Sequence, residues 1–183
     1  MKPTPEPRAD ARKEAVPDAL RELVGQPVQA IDTPALVVDL DAMQRNLARM
    51  ADFAKKHNIR WRPHAKMHKS AAIARLQMQA GAIGVCVQKT AEAEAMVAGG
   101  VTDVYISNEV IAPHKLARVA ALAHQLAAVR GRLAIAVDSE EGVTRLAQAM
   151  NDARTRHGQA AVIDVFVEID VGQRRCGVPP GGA

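Results

Sequence analysis

The chain has 183 residues, 48% of them apolar, and 24 basic against 20 acidic side chains give it a net charge of +4. Such a composition excludes an intrinsically disordered chain and allows one domain with a sizeable core. The small charge surplus, and the restriction of aromatics to Phe53, Trp61, Tyr105 and Phe166, argue against a protein whose main work is gripping or stacking on nucleic acid.

The opening "MKPTPEPRADARKEAVPDAL" has no apolar core of the secretory kind, and its Pro and charge content predict a disordered leader. Residues 1–29 are expected to lie outside the packed domain, which then covers 30–183. No apolar run reaches the roughly 18 residues of a membrane span. Cys86 and Cys176 lie far apart in apolar segments and read as small buried hydrophobes in a reducing, cytoplasmic setting.

From residue 33 the pattern becomes regular. "ALVVDL" (35–40) reads as a valine-rich strand, with Asp41 capping a helix that carries Met43, Leu47, Met50 and Phe53 at helical spacing. "IRWRPH" (59–64) reads as a strand running into a turn, and "KSAAIARLQMQAG" as a helix closed by Gly81. "AIGVCVQ" (82–88) is a strand, "TAEAEAMVAGG" a helix ended by Gly99 and Gly100, and "TDVYIS" (102–107) a strand. Pro113 opens the next helix. "GRLAIAVD" (131–138) is a strand, Ser139 caps another helix, and "AVIDVFVEIDVG" (161–172) is the last strand. Met43, Met50, Met78 and Met96 are expected in helix cores; Asn108 and Glu109 follow a strand, and a helix cap is favoured for them over a place at the mouth formed by the strand ends.

This alternation demands parallel strands joined by crossover helices. A (β/α)8 barrel and an open doubly wound sheet both fit, and the lack of a G-x-G-x-x-G or P-loop pattern weakens the nucleotide-binding versions. The expected fold is α/β, an incomplete (β/α)8 TIM-type barrel with about five parallel strands after "ALVVDL". Such a sheet leaves an apolar edge uncovered and reads as part of a longer chain.

The stretch "WRPHAKMHKS" (61–70) concentrates the chemistry. Arg60, Arg62, His64, Lys66 and His68 share one parity, so an extended segment would aim them the same way. His64 and His68 have the spacing of a helical zinc pair, but Pro63 argues against a helix there. A nucleic-acid patch is weakened by the alternation and the low net charge. Functional residues of parallel α/β folds collect at the C-terminal ends of strands, where Lys66 falls. A lysine that attacks a carbonyl must lose a proton against a reference pKa of ~10.4. Nearby cations and partial burial both help, and Arg62, His64 and Lys69 are the cations expected to do so. Alone, Lys66 would still pass for a surface lysine, Gln88 for a turn residue and Arg175 for a surface arginine.

"RPHAKMHKS" resembles the cofactor-lysine segment of the D-threonine aldolase and 3-hydroxy-D-aspartate aldolase group. These are type III fold pyridoxal-phosphate enzymes, related to D-serine dehydratase and the alanine racemase N-terminal barrel. "DTPALVVDLDAMQRNL" (32–47), "GVCVQKTAEAEAMVAGG" (84–100), "DVYISNEV" (103–110) and "VFVEIDVGQRRCGV" (165–178) match in order. The resemblance implies pyridoxal 5'-phosphate held on Lys66, with Gln88 near the cofactor and Arg175 close to its ring. His64 would position Lys66 or the substrate. The implied reaction is cleavage of D-3-hydroxy amino acids to glycine and an aldehyde.

A complete member would add a divalent metal (Mn or Mg), a phosphate loop and a C-terminal β domain, and would form a homodimer. The phosphate loop, the metal ligands and that domain are absent from this sequence, so metal ligands here are expected to be none. The chain is expected to act as an inactive N-terminal half. A non-catalytic remnant or pseudoenzyme, or a fragment of a D-serine dehydratase, are the alternatives.

Overall fold

A computed structural model describes residues 18–181 of the chain. The leader expected to be disordered, through about residue 16, lies outside them, while residues 18–29 of the expected leader segment are described. The chain divides into two compact units, Met1–Arg45 and Asn46–Ala183.

In the first unit, α1 (Asp18–Arg21) is a single turn and a 3-10 turn covers Val28–Ala30. The strand expected over 35–40 is not formed. Residues 35–39 carry no ladder, and Leu36 is 97% exposed. Valines favour a pleated surface, but a strand exists only where a neighbour exchanges backbone hydrogen bonds with it. Helix α2 (Leu40–Lys56) therefore begins straight after Asp39. The cap is Asp39 rather than Asp41: its Oδ1 accepts the Ala42 N–H at 2.9 Å. Asp41 lies in the first turn, where a carboxylate suits the helix dipole.

In the second unit, the rest of α2 buries only Ala54. Met50 and Phe53 are 38% and 51% exposed, so Met50 is not a core residue. A helical stripe shows that an apolar face exists, not that anything covers it. The segment 59–64 then runs beside β1 (Val85–Val87). It is extended toward that strand but bridges it at one residue, His64 to Cys86. Cys86 N–H donates to the Pro63 carbonyl at 2.8 Å, and Ala65 N–H to the Cys86 carbonyl at 2.7 Å. Pro63 has no N–H to give, and the ladder breaks there.

The remaining elements follow the expected alternation: α3 (Ala71–Gln79), β1, α4 (Thr90–Ala98), β2 (Asp103–Glu109), α5 (Pro113–Ala128), β3 (Arg132–Val137), α6 (Glu140–His157) and β4 (Asp164–Val167). Ser70 caps α3 by accepting the Ile73 N–H, and Ser139 caps α6 by accepting the Gly142 N–H. Gly100 and Gly158 leave their helices with φ of 87° and 69°, a conformation that costs glycine nothing.

The four strands form one parallel sheet in the order β1-β2-β3-β4. Sequential order without a reversal is the pattern of a barrel wall; a doubly wound sheet turns back at a switch point. The fold is thus α/β with four paired strands, and the fifth expected strand is the single-bridge segment 59–64. Val85, Val87, Val104, Ile106, Leu133 and Ile135 pack with Met96, Leu116, Val119 and Leu126 in the core between sheet and helices. Each fully buried side chain of this kind contributes roughly 1.5–3 kcal/mol relative to exposure. Cys86, Tyr105, Ala134 and Ala136 occupy the alternate strand positions and so face the other way. On the outermost strand β4, Val165, Phe166 and Val167 are exposed, an apolar edge of the kind the sequence implies.

Candidate functional site

Strand β1 ends at Val87 and β2 at Glu109, and the loops after them meet the turn that follows His64. Together with the segment after β4 they enclose a cleft of about 220 Å³, lined by His64, Lys66, Gln88, Ser107, Asn108, Glu109, Glu168, Arg175 and Cys176. The cleft lies at the C-terminal ends of the strands, where parallel α/β folds keep their chemistry.

All four residues singled out in the sequence line this cleft, but the reason is not the shared parity of the basic stretch. Residues 65–68 form a turn, so alternation stops at His64. Lys66 is exposed at the cleft, and its backbone N–H lies 3.3 Å from His64 Nδ1. His68 leaves the common face: its Nδ1 accepts the Ser70 N–H at 3.0 Å, and burial pulls its pKa down.

Nor are the neighbouring cations free to act on Lys66. Arg62 is bound to Asp103 at 2.7 Å, in a part-buried pair at the start of β2. Lys69 sits at φ 49° with its Nζ 3.6 Å from Glu92 Oε1. Burial, then the Lys66 charge, lower the pKa of His64, against the pull of Gln88, Glu92 and the Cys86 backbone. The expectation of three cations crowding Lys66 is therefore corrected, because two have carboxylate partners and burial disfavours the charged form of the third.

Gln88 is fixed at both ends. Its backbone N–H donates to Glu92 Oε2 at 3.0 Å, and its Nε2 donates to Asn108 Oδ1 at 3.1 Å. Glu92 also accepts the Lys89 N–H at 3.3 Å. It therefore ties the end of β1 to Lys69, three residues beyond the site lysine. Burial raises the pKa of Glu92, but the two backbone N–H groups and Lys69 outweigh it, and the net shift is downward.

Arg175 comes from a loop organised around Asp170. Asp170 Oδ1 accepts the Gly172 and Arg174 N–H groups, each at 2.9 Å, and these bonds hold its carboxyl below its ordinary value. Val178 N–H returns to the Glu168 carbonyl at 2.9 Å and closes the loop. Gly177 is required at this closure: with φ 97°, a Cβ would stand 2.7 Å from the Asp170 nitrogen.

Sequence reasoning missed Ser107 and Glu168, and favoured a helix cap for Asn108 and Glu109 over the mouth position they occupy; the residue before α5 is Ala112. The β2–β3 register shifts between Ile106 and Glu109. Such a break re-aims side chains that would otherwise alternate, and it lets three consecutive residues face one cleft. Polar residues closing an apolar strand were the available signal. Glu109 Oε1 is buried without a partner. Burial and the facing Glu168 carboxyl push Glu109 above its ordinary value, with Arg175 pulling the other way. Cys176 lines the cleft rather than the core, while burial pushes the Cys86 thiol up and leaves it a poor nucleophile.

The cleft offers an amine, a guanidinium, an imidazole, two carboxamides, a hydroxyl, a thiol and two carboxyls, and suits a small polar molecule with a carbonyl group. Among the described residues no group of three or more His, Cys, Asp or Glu side chains is placed to hold a metal ion, and no helix is long and apolar enough to cross a membrane.

Residues 38–183 match the alanine racemase N-terminal domain. The chain is 46% identical over 154 residues to a D-threonine aldolase of an Arthrobacter species, covering 84% of this chain and 38% of that protein. It is 43% identical over 157 residues to 3-hydroxy-D-aspartate aldolase of Paracoccus denitrificans (strain Pd 1222), covering 85% and 38%. The crystal structure of D-threonine aldolase from Filomicrobium marinum aligns with a TM-score of 0.75 at 51% identity, over 84% of this chain and 38% of that one. The chain spans less than two fifths of the length of these relatives.

Proposed function

This chain belongs to the alanine racemase N-terminal domain family, and from that premise we propose that it supplies the lysine-bearing wall of a pyridoxal-phosphate site. The site serves aldol cleavage of D-3-hydroxy amino acids to glycine and an aldehyde. The observation that carries this reading is the convergence of Lys66, Gln88 and Arg175 on one polar cleft at the strand ends. Those residues come from three segments separated by long stretches of chain, and their side chains fit the cofactor's aldehyde, its polar ring substituents and its ring edge.

Pyridoxal phosphate, when bound, supplies an electron-withdrawing ring that accommodates charge released at the substrate α-carbon. Lys66 would hold the cofactor through its amine, which stands exposed at the mouth of the cleft. Arg175 remains protonated at any physiological pH and would oppose a second positive charge on a ring nitrogen beside it. Gln88, locked between Glu92 and Asn108, presents a fixed carboxamide rather than a mobile one. Burial and the facing Glu168 carboxyl keep a proton on Glu109 to a higher pH than an exposed glutamate would. The reading carries with it a D-amino acid substrate, a homodimeric whole enzyme and a cytoplasmic setting.

The test is cofactor capture by the purified chain. With pyridoxal phosphate, borohydride reduction and peptide mass analysis should place the label on the peptide containing Lys66 and not on Lys69 or Lys89. Lys66→Ala should abolish it. Labelling spread evenly over surface lysines, and unchanged in Lys66→Ala, would refute the reading. Before reduction, D-threonine should perturb the absorbance of cofactor bound at Lys66 more than L-threonine does; equal effects of the two would remove the D-amino acid assignment.

A further inference from the structure

A directional relay runs from Lys66 through His64 to Ser107, a residue outside the expected site. Lys66 N–H points at His64 Nδ1 at 3.3 Å. A nitrogen that accepts a hydrogen bond carries no proton, so the proton of the neutral imidazole belongs on Nε2. His64 Nε2 lies 3.4 Å from Ser107 Oγ. The Ser107 hydroxyl in turn lies 3.3 Å from the Val87 carbonyl, which can only accept. One orientation fits these three contacts together: Lys66 N–H to His64, His64 Nε2–H to Ser107, and Ser107 O–H to Val87, with the Gln88 side chain and the Cys86 backbone as the ring's other hydrogen-bonding neighbours. The opposite tautomer would set two N–H groups against each other at the Lys66 end and waste the Ser107 acceptor.

We propose that Ser107 is a positioning residue for the Lys66 site, selecting the Nε2–H tautomer of His64 so that the bare Nδ1 anchors the Lys66 backbone in the turn. The proposal rests on the cofactor reading for its consequence, but not for its geometry. It changes the expected part of His64. Both ring nitrogens are committed within the relay, so His64 orients the lysine rather than exchanging protons with a substrate. Burial and the adjacent Lys66 charge disfavour a second proton on the ring, with Gln88, Glu92 and the Cys86 backbone as the opposing neighbours. Ser107 lies two residues beyond Tyr105, on the face of the sheet that carries Cys86, the bridge partner of His64, so strand alternation brings its hydroxyl to the ring on the neighbouring segment.

The test compares native chain, Ser107→Ala and Ser107→Thr. Long-range proton–nitrogen NMR of the His64 ring, assigned with His64→Gln, reads the tautomer. Hydrogen exchange of the Lys66 amide reads the anchor, and neither measurement needs cofactor. Native chain and Ser107→Thr should show the Nε2–H form and a protected Lys66 amide. In Ser107→Ala the ring should shift toward the Nδ1–H form and Lys66 amide exchange should rise about five-fold, the effect of one ordinary hydrogen bond. Pyridoxal-phosphate attachment at Lys66 should weaken by a similar factor and recover in Ser107→Thr. An Nδ1–H ring in the native chain overturns the proposal. So does an unchanged tautomer in Ser107→Ala, or a changed tautomer that leaves the Lys66 amide unaffected. If the native chain takes up no pyridoxal phosphate at Lys66, the cofactor reading fails, and the ring and amide measurements still decide the role of Ser107.

Discussion

Replacing Glu92 by alanine should loosen two walls of the cleft at once. Its carboxylate accepts the Gln88 N–H at 3.0 Å and the Lys89 N–H at 3.3 Å, and it faces Lys69 Nζ at 3.6 Å. The Glu92 side chain is only 13% exposed, so water replaces it poorly. A hydrogen bond to a charged group contributes about 1.5–3 kcal/mol. The Gln88 bond falls in that range, the longer Lys89 bond adds less, and the exposed Lys69 pair adds little. The expected cost is about 2–3 kcal/mol. With a urea m-value of about 1–3 kcal/mol/M, the midpoint should fall by on the order of 1 M at unchanged m.

The same contact sets a pH dependence. Glu92 has a folded pKa below its ordinary 4.5. Its contribution is therefore complete above that value and lost as pH falls through the folded pKa. Native chain and Glu92→Gln should differ by a constant amount at neutral pH and converge in acid. A midpoint shift below roughly 0.3 M in Glu92→Ala, or a difference from Glu92→Gln that grows as pH falls, would refute this account.

Gly84→Ala should destabilise by about 1–3 kcal/mol through overpacking, because its Cβ would be driven into the Asp103 carbonyl and the Arg62 guanidinium; calorimetry should show a lower Tm, and an unchanged Tm would contradict the Arg62–Asp103 packing. His124 is buried and stacked on His157 at 4.4 Å between ring centroids. Burial, His157 and Arg156 all lower its pKa from 6.5. The unfolded chain then binds the extra proton more readily, so stability should fall as pH drops below 6.5, and His124→Phe should flatten that slope in urea titrations. Val167 on the edge strand β4 is 62% exposed, and Val167→Lys should lower concentration-dependent self-association in light scattering, since a charge on an open edge opposes strand addition.

The regular part of the fold was readable because its signals are local. Apolar runs of strand length, Ser70 and Ser139 as caps, Pro113 at a helix start and glycines at helix ends act within a few residues of themselves. The two failures in the first third have one cause. "ALVVDL" has the composition of a strand and the stripe of α2 has the spacing of a buried face, but pairing and cover are supplied by other parts of a fold.

Lys66 could be singled out because a basic run closes an extended segment, and because five ordered blocks carry the family resemblance. Its surroundings could not be read that way. Arg62 is paired with a residue 41 positions away and Ser107 approaches His64 across 43, separations at which no local pattern records the partner. The sequence by itself determined the order of strands and helices, the place of Lys66 at the end of a segment, and the family. Only the tertiary structure decided which cations are already neutralised, which strand breaks register, and which nitrogen of His64 faces the lysine. Each of those is a contact between distant segments, set by the packing of one strand against the next.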